Sequence, residues 1–216
     1  MPIKKHDFVE LEYTGRLKEG SVVFDTTDEK TAKDARIFSE KSQYCPIVIC
    51  IGEHMILRAI DEFLEGKEPG KYTLELPAEK AFGRKSAELV KMIPESKFAE
   101  QGIRPVPGLR LNIDNYVGIV KTVSGGRTVV DFNHPLSGRD VVYELKISGL
   151  VDDKKVQVES LLRGLLGVQA PVVVQEKKVV ISFPAKLPEK LGAELAKKIS
   201  ELTGLEVSFE VKKEEK

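Results

Sequence analysis

Few residues in this 216-residue chain are of types that make or break bonds, and those few are scattered. The three histidines, His6, His54 and His134, show no metal-ligand spacing, and His134 lies in Asn-His-Pro, where a turn residue is the ordinary reading. Cys45 and Cys50 sit five apart in an apolar run. On a strand that odd offset turns their side chains to opposite faces, so no disulfide is expected and a reducing cytoplasm is the natural setting. Asp25, beside Thr26 and Thr27, reads on its own as a turn or capping residue, and Tyr13 as an inward strand residue. No metal site and no cofactor are expected.

Such residues need elements to position them. Residues 8–17 alternate, with Val9, Leu11 and Tyr13 on one face and Glu10 and Glu12 on the other, the pattern of a half-buried strand. Residues 71–76 repeat it with Tyr72, Leu74 and Leu76 inward, and residues 141–147 with Val141, Tyr143, Leu145 and Ile147 inward. Residues 54–65 read as one short helix stopped by Gly66, and residues 26–44 as an exposed loop with a helical turn. Residues 84–131 break the rhythm. They carry three prolines, a hairpin around Ser124-Gly125-Gly126-Arg127 and apolar residues including Met92, Ile93 and Phe98, and so form a small β-rich unit of their own.

After Asp152-Asp153-Lys154-Lys155 the pattern changes again. A short strand at 155–158, an apolar helix around 160–166, a hairpin of 172–174 with 179–183, an amphipathic helix over 187–202 and a last strand at 206–212 make an α+β segment. The helix Leu161-Leu162-Arg163-Gly164-Leu165-Leu166 is apolar on more than one face, which calls for enclosure or for a partner chain. A homodimer through residues 152–216 is expected on that ground. Lys and Arg number 34 and Asp and Glu 34, a balance that disfavours nucleic acid as a partner. No apolar run approaches the ~20 residues of a membrane span, and residues 1–7 lack the apolar core of a signal peptide.

Several fragments, in order, resemble a known family. Tyr13-Thr14-Gly15, Val23-Phe24-Asp25-Thr26-Thr27, Ile51-Gly52-Glu53 and Ala81-Phe82-Gly83 are similar to the FKBP domain. Asn133-His134-Pro135-Leu136-Ser137-Gly138, followed by a strand with Tyr143, resembles the Asn-His-x-Leu-Ala-Gly segment that follows the inserted flap of SlyD-like members. The resemblance covers residues 1–151, and the remainder is similar in kind to the extra C-terminal domain of long archaeal members. It implies an α+β fold: an FKBP half-barrel sheet with one short helix (1–83 and 132–151), a β-rich inserted flap domain (84–131) and a C-terminal α+β domain (152–216).

The resemblance also implies peptidyl-prolyl cis–trans isomerase activity on unfolded or folding polypeptides that contain proline. The family's pocket falls on Tyr13, Phe24, Asp25, Phe82 and Tyr143, with Ile47, Ile56, Leu57, Ile60 and Leu136 as substrate-contacting residues. Asp25 then accepts a hydrogen bond from Tyr13 and acts on the substrate carbonyl. Ile60 stands where the family often has Trp, and Phe82 where it often has Tyr, which weakens the expectation of macrolide binding. Met92, Ile93 and Phe98 of the insert are candidates to contact unfolded chains, the other reading being that they form the insert's own core. A binding-only chaperone is the alternative function, and an adaptor built on residues 152–216 a third.

Overall fold

The computed structural model describes residues 2–113 and 116–211. The chain forms two compact units, one combining Met1–Glu75 with Val142–Lys216 and the other Leu76–Val141. In chain order the first unit begins with β1 (Phe8–Leu17), β2 (Val23–Thr26), α1 (Glu29–Asp34), β3 (Ile47–Cys50), α2 (Arg58–Leu64) and β4 (Gly70–Leu76). The second unit holds β5 (Val90–Pro94), α3 (Glu95–Ala99), β6 (Arg110–Ile113), β7 (Tyr116–Ser124) and β8 (Arg127–Asp131). The chain then returns through β9 (Val141–Leu150), α4 (Lys154–Leu166), β10 (Val172–Gln175), β11 (Lys178–Phe183), α5 (Glu189–Thr203) and β12 (Glu206–Val211). This is the expected α+β class.

The main sheet runs β2-β1-β9-β4, with β3 also paired to β1. β1 is long enough to hold two partners on one edge, β3 against Phe8–Leu11 and β2 against Thr14–Arg16. Alternation predicts the burial of Val9 and Leu11 but not that of Phe8, which is 3 % exposed. Phe8 is covered because residues 152–216 lie on that side of the strand. It shares a buried cluster with Cys50, Val158, Leu161, Leu162 and Ile199.

Three local expectations change. The helix expected over 54–65 begins only at Arg58, because His54 is left-handed (φ 53°) and Leu57 extended (ψ 128°), neither of which an α-helix can contain. The strand expected at 155–158 is the first turn of α4. Asp153 caps it, its carboxylate accepting from the backbone N–H of Lys155 and Val156, and the β-branched valines are overridden because Val158, Leu161 and Leu162 then share a buried face. α1 gives the loop 26–44 a real helix, capped by Asp28, which accepts from the Thr31 amide at 2.7 Å.

Residues 152–216, expected as a separate domain, share their core with the main sheet. α4 packs on β3, β10 and α5, which buries Leu161 and Leu162, while Leu165 stays 38 % exposed. β10 and β11 form the expected hairpin, and β12 lies parallel to β11 after the α5 crossover. The expected last strand ran to residue 212, which lies outside the described residues. Along α5, Leu195 and Ile199 are buried, whereas Leu191 is 39 % exposed, so the apolar stripe fades towards the helix start.

The second unit is an antiparallel sheet in the order β5-β8-β7-β6 over a small core of Phe98, Leu111, Val120 and Val130. Phe98 is 3 % exposed, which corrects its assignment to a client-binding surface. α3 turns its ring into the core, and Ile93 packs against that core. Met92 is 60 % exposed.

Candidate active site

In the first unit, β1 and β2 bring Tyr13, Phe24 and Asp25 together, and β9 adds Tyr143. Tyr13 Oη donates to Asp25 Oδ2 at 2.9 Å. The Phe24 ring meets Tyr143 edge-on, with centroids 5.8 Å apart at 84°, and Tyr13 lies tilted against Tyr143 at 6.1 Å. The ladder explains how consecutive residues reach one cluster. Gly15 pairs with Asp25 and Arg16 with Val23, so Phe24 is an extra residue in a bulge. A regular strand would send Phe24 and Asp25 to opposite faces, and the bulge re-aims one of them.

Gly15 is the counterpart of that bulge. A Cβ there would lie 2.7 Å from Phe24 Cζ and 3.0 Å from Tyr143 Cε1, so only glycine lets the rings close over β1. The threonines flanking Asp25 tie the two strands together. Thr27 Oγ1 accepts from Tyr13 N at 2.9 Å, Thr27 N donates to Tyr13 O at 2.9 Å, and the Thr14 and Thr26 hydroxyls are 2.8 Å apart. Read from sequence, Thr26 and Thr27 pointed to a cap. They are in fact the staple that fixes the spacing between Tyr13 and Asp25.

Both phenols are held protonated. Burial pushes the Tyr13 hydroxyl far above its ordinary 10.0, and the negative charge of Asp25 and the hydrogen bond to it push it further. Burial, then the Asp25 charge, does the same to Tyr143. In the unfolded chain both phenols ionise near pH 10 while the folded chain keeps their protons. Their contribution to stability is therefore complete below about pH 10 and is lost as pH rises beyond it. Thermal melts from pH 7 to 11 should accordingly fall off above about pH 10, and the fall should shrink in Tyr13→Phe. An unchanged alkaline slope in that variant would contradict the buried, protonated Tyr13.

Of the remaining expected site residues in this unit, Ile60 is fully buried on α2 and supplies packing rather than surface. Ile47 at the start of β3 and Ile56 and Leu57 before α2 are half-buried. Cys50 is buried, its thiol pushed up to about 12, first by burial and then by the charges of Glu53 and Asp61. Cys45 is exposed and precedes β3, so the two cysteines do not share the strand that was expected to separate them.

Phe82 and Leu136 belong to the second unit. There the Asn-His-Pro-Leu-Ser-Gly segment closes the base of the insert. Asn133 joins the outgoing and returning chains, its Oδ1 accepting from Ser86 N at 2.8 Å and its Nδ2 donating to Ser86 O at 3.0 Å. His134 stacks on Phe82, centroids 4.8 Å apart and nearly parallel, and Ser137 Oγ donates to the Phe82 carbonyl at 2.9 Å. Burial would raise the Asp131 carboxyl, but hydrogen bonds from the side chain and backbone of Asn133, with Lys121 and Lys85 nearby, outweigh it and hold the carboxyl below its usual range. Sequence alone did not single out Tyr116 and Val117, 66 % and 62 % exposed on β7. Among the described residues no group of three or more His, Cys, Asp or Glu side chains is placed to hold a metal ion.

An antiparallel sheet carrying an apolar aromatic cluster with a tyrosine-bound carboxylate, interrupted by a small β-rich insert, is consistent with an FKBP fold that carries a flap insertion. Residues 91–136 match the family described as "FKBP26, IF domain". The chain is 29 % identical over 146 residues to the short-type peptidyl-prolyl cis-trans isomerase of Methanocaldococcus jannaschii, covering 67 % of this chain and 92 % of that one. It is 25 % identical over 170 residues to the FKBP-type peptidyl-prolyl cis-trans isomerase SlyD of Haemophilus influenzae, covering 76 % and 79 % respectively. It is 23 % identical over 150 residues to the FKBP-type 16 kDa peptidyl-prolyl cis-trans isomerase of Escherichia coli, covering 67 % and 91 %. The chain is thus similar over about two thirds of its length to FKBP-type peptidyl-prolyl isomerases, SlyD among them, and over residues 91–136 to an insert-in-flap domain.

Proposed function

We propose that this protein is a peptidyl-prolyl cis–trans isomerase that accelerates X–Pro isomerisation in unfolded or folding polypeptides, with a chaperone function in its insert. The observation that carries this reading is the Tyr13–Asp25 hydrogen bond beside the edge-on Phe24–Tyr143 pair, an apolar aromatic site with one charged group. Such a site suits a reaction that makes no bond. The barrier of ~18–20 kcal/mol is amide resonance, which separates charge between oxygen and nitrogen. The twisted transition state has lost that resonance and is less polar, so apolar surroundings favour it over the planar amide.

In this reading Phe24 and Tyr143 supply the apolar walls on one unit, and Ile47, Ile56 and Leu57 extend them over a fully buried Ile60. Phe82 and Leu136 stand at pocket positions of the family pattern. Asp25 is not a general base, since no proton has to move. It fixes the Tyr13 hydroxyl and sets the potential that the substrate carbonyl meets.

The functional division we propose is an isomerase at 1–83 and 132–151, an insert at 84–131 that receives unfolded chains, and a supporting segment at 152–216. Exposed Met92, Tyr116 and Val117 are the insert residues best placed to meet an apolar client. Among the described residues no helix is long and apolar enough to cross a membrane. The free thiols Cys45 and Cys50 fit a reducing, cytoplasmic setting. A protease-free isomerisation assay on a short proline peptide and on an unfolded protein, in one buffer, tests the whole reading. Both reactions should be accelerated, the protein more strongly. A peptide rate equal to the uncatalysed one, with refolding yield still improved, would favour the binding-only chaperone instead.

A further inference from the structure

The stretch from Gln43 to Leu57 carries Ile47, Ile56 and Leu57 of the proposed site, and three supports from residues 152–216 converge on it. Gln169 Nε2 donates to Gln43 Oε1 at 3.1 Å. Gly164 on α4 faces Met55: a methyl group at 164 would overlap the Met55 thiomethyl and come within 3.0 Å of its Cγ. Lys198 Nζ on α5 lies 2.5 Å from Glu53 Oε2. The Glu53 side chain is only 8 % exposed, and Lys198 is the cation that compensates its charge; His6 Nε2 lies 3.7 Å from its other oxygen.

The loop's inner supports are also fixed. Asp61, 2 % exposed, accepts from Gly52 N at 3.0 Å and from His54 N at 3.0 Å, and its carboxylate lies 3.1 Å from His54 Nδ1. These bonds hold the left-handed backbone at Gly52 and His54, a conformation that His54 adopts only when its surroundings impose it. Asp61 thus anchors the start of the loop from α2, while α4 and α5 grip its middle at Glu53 and Met55. Ile56 and Leu57 follow directly.

We infer that residues 152–216 are a clamp on the isomerase site, with Lys198 and Gly164 as positioning residues that hold the 51–57 loop, and through it Ile56 and Leu57, in the geometry substrate binding needs. The inference rests on the isomerase reading above. Without Lys198 the carboxylate of Glu53 is buried and under-compensated, and the loop relieves that by moving Glu53 towards water. Ile56 lies three residues further on, and displacements of about 1 Å at a binding site cost up to about a hundredfold in rate. A segment outside the family resemblance is thereby given a part in catalysis.

The test uses the full chain carrying Lys198→Met, Lys198→Arg, Glu53→Gln and the double variant Glu53→Gln/Lys198→Met, with Lys197→Met as a control on the same helix. Two readouts are taken: kcat and KM on a short X–Pro peptide, and amide hydrogen exchange of residues 51–57. Lys198→Met should lower kcat/KM by about tenfold, mainly through KM, and speed loop exchange by at least as much, while exchange in β9 is unchanged. Lys198→Arg should restore both to within about twofold, and Lys197→Met should change neither. The double variant should be less impaired than Lys198→Met alone, because the uncompensated charge has gone. Should Lys198→Met unfold the chain, the comparison of the double variant with Glu53→Gln decides. Loop exchange and kcat/KM unaltered in Lys198→Met, or a double variant no better than the single one, overturns the clamp. A wild-type chain that does not accelerate isomerisation overturns the isomerase reading instead, and loop exchange still decides whether α4 and α5 hold the loop.

Discussion

Replacing Asp25 with alanine is expected to lower kcat/KM for a proline peptide by about ten- to a hundredfold while leaving the fold intact. The size follows from the bond that is lost. A hydrogen bond to a charged group contributes about 1.5–3 kcal/mol, and each 1.36 kcal/mol of transition-state stabilisation is a factor of about ten. The fold survives because Asp25 is exposed and sits on a strand held by threonine and backbone bonds that the substitution does not touch. Loss of the Tyr13–Asp25 bond costs stability as well, by up to about 1.5–3 kcal/mol, which is less than the about 5–15 kcal/mol that holds a domain folded. Asp25→Asn sharpens the result, since it keeps an acceptor for Tyr13 and removes only the charge. If Asn restores most of the activity, Asp25 acts by orienting Tyr13. If it does not, the charge itself shapes the site. Wild-type activity in Asp25→Ala would remove this aspartate from the mechanism.

Excising most of the insert is expected to spare peptide catalysis and to weaken catalysed protein refolding by about a hundredfold. The ladder gives the cut. Val90 lies directly across from Asp131 in the antiparallel β5–β8 pair, so residues 91–130 can be replaced by a two-residue turn without stretching the chain. Such a cut leaves Ser86, Asp131 and Asn133 in place, and with them the bonds that close the base of the insert. It removes Met92, Tyr116 and Val117 together with the small core around Phe98. A client held on that surface presents its prolines at a high local concentration, and linked sites of this kind gain roughly 10²–10⁴ in avidity. Peptides too short to span both sites gain nothing from it. An equal fall in both activities would show that the insert serves the chemistry itself rather than capture.

The parts of this fold legible in sequence were those where one face is buried. In β9 the alternation of Val141, Tyr143, Leu145 and Ile147 against Glu144 and Lys146 predicted the burial found, because that strand has a wet face. β1 was half legible: Val9 and Leu11 behave as the pattern says, while Phe8 is buried by a segment about 150 residues away that no local pattern reports. Val156 and Val158 looked like a strand because β-branched residues favour one, and the cap at Asp153 with the shared face of Val158, Leu161 and Leu162 outweighed that preference. The Tyr13, Phe24, Asp25 and Tyr143 cluster was legible only through the family pattern. The bulge that makes it depends on the β1–β2 register, and Gly15 matters through rings that arrive from β2 and β9. Phe98 misled because an apolar residue in a small insert looks the same in sequence whether it faces a client or its own core.

The order of strands in the main sheet also sets the order in which the protein can assemble. β1 sits between β2 and β9, and the Lys146–Glu12 ion pair across the β1–β9 ladder joins residues 134 apart in sequence. The second unit, by contrast, closes entirely within Leu76–Val141, through the β6–β7 and β7–β8 hairpins and a β5–β8 pairing that spans about 40 residues. Local pairings form early and distant ones late, since a long loop must be closed before its contacts repay the lost entropy. During synthesis the insert can therefore be complete while one edge of β1, and the side of it that Phe8 presents, still await β9 and α4. On the proposed division of labour, the insert that would receive unfolded chains is thus finished before the isomerase site, at a time when the protein's own first half is still an unfolded polypeptide.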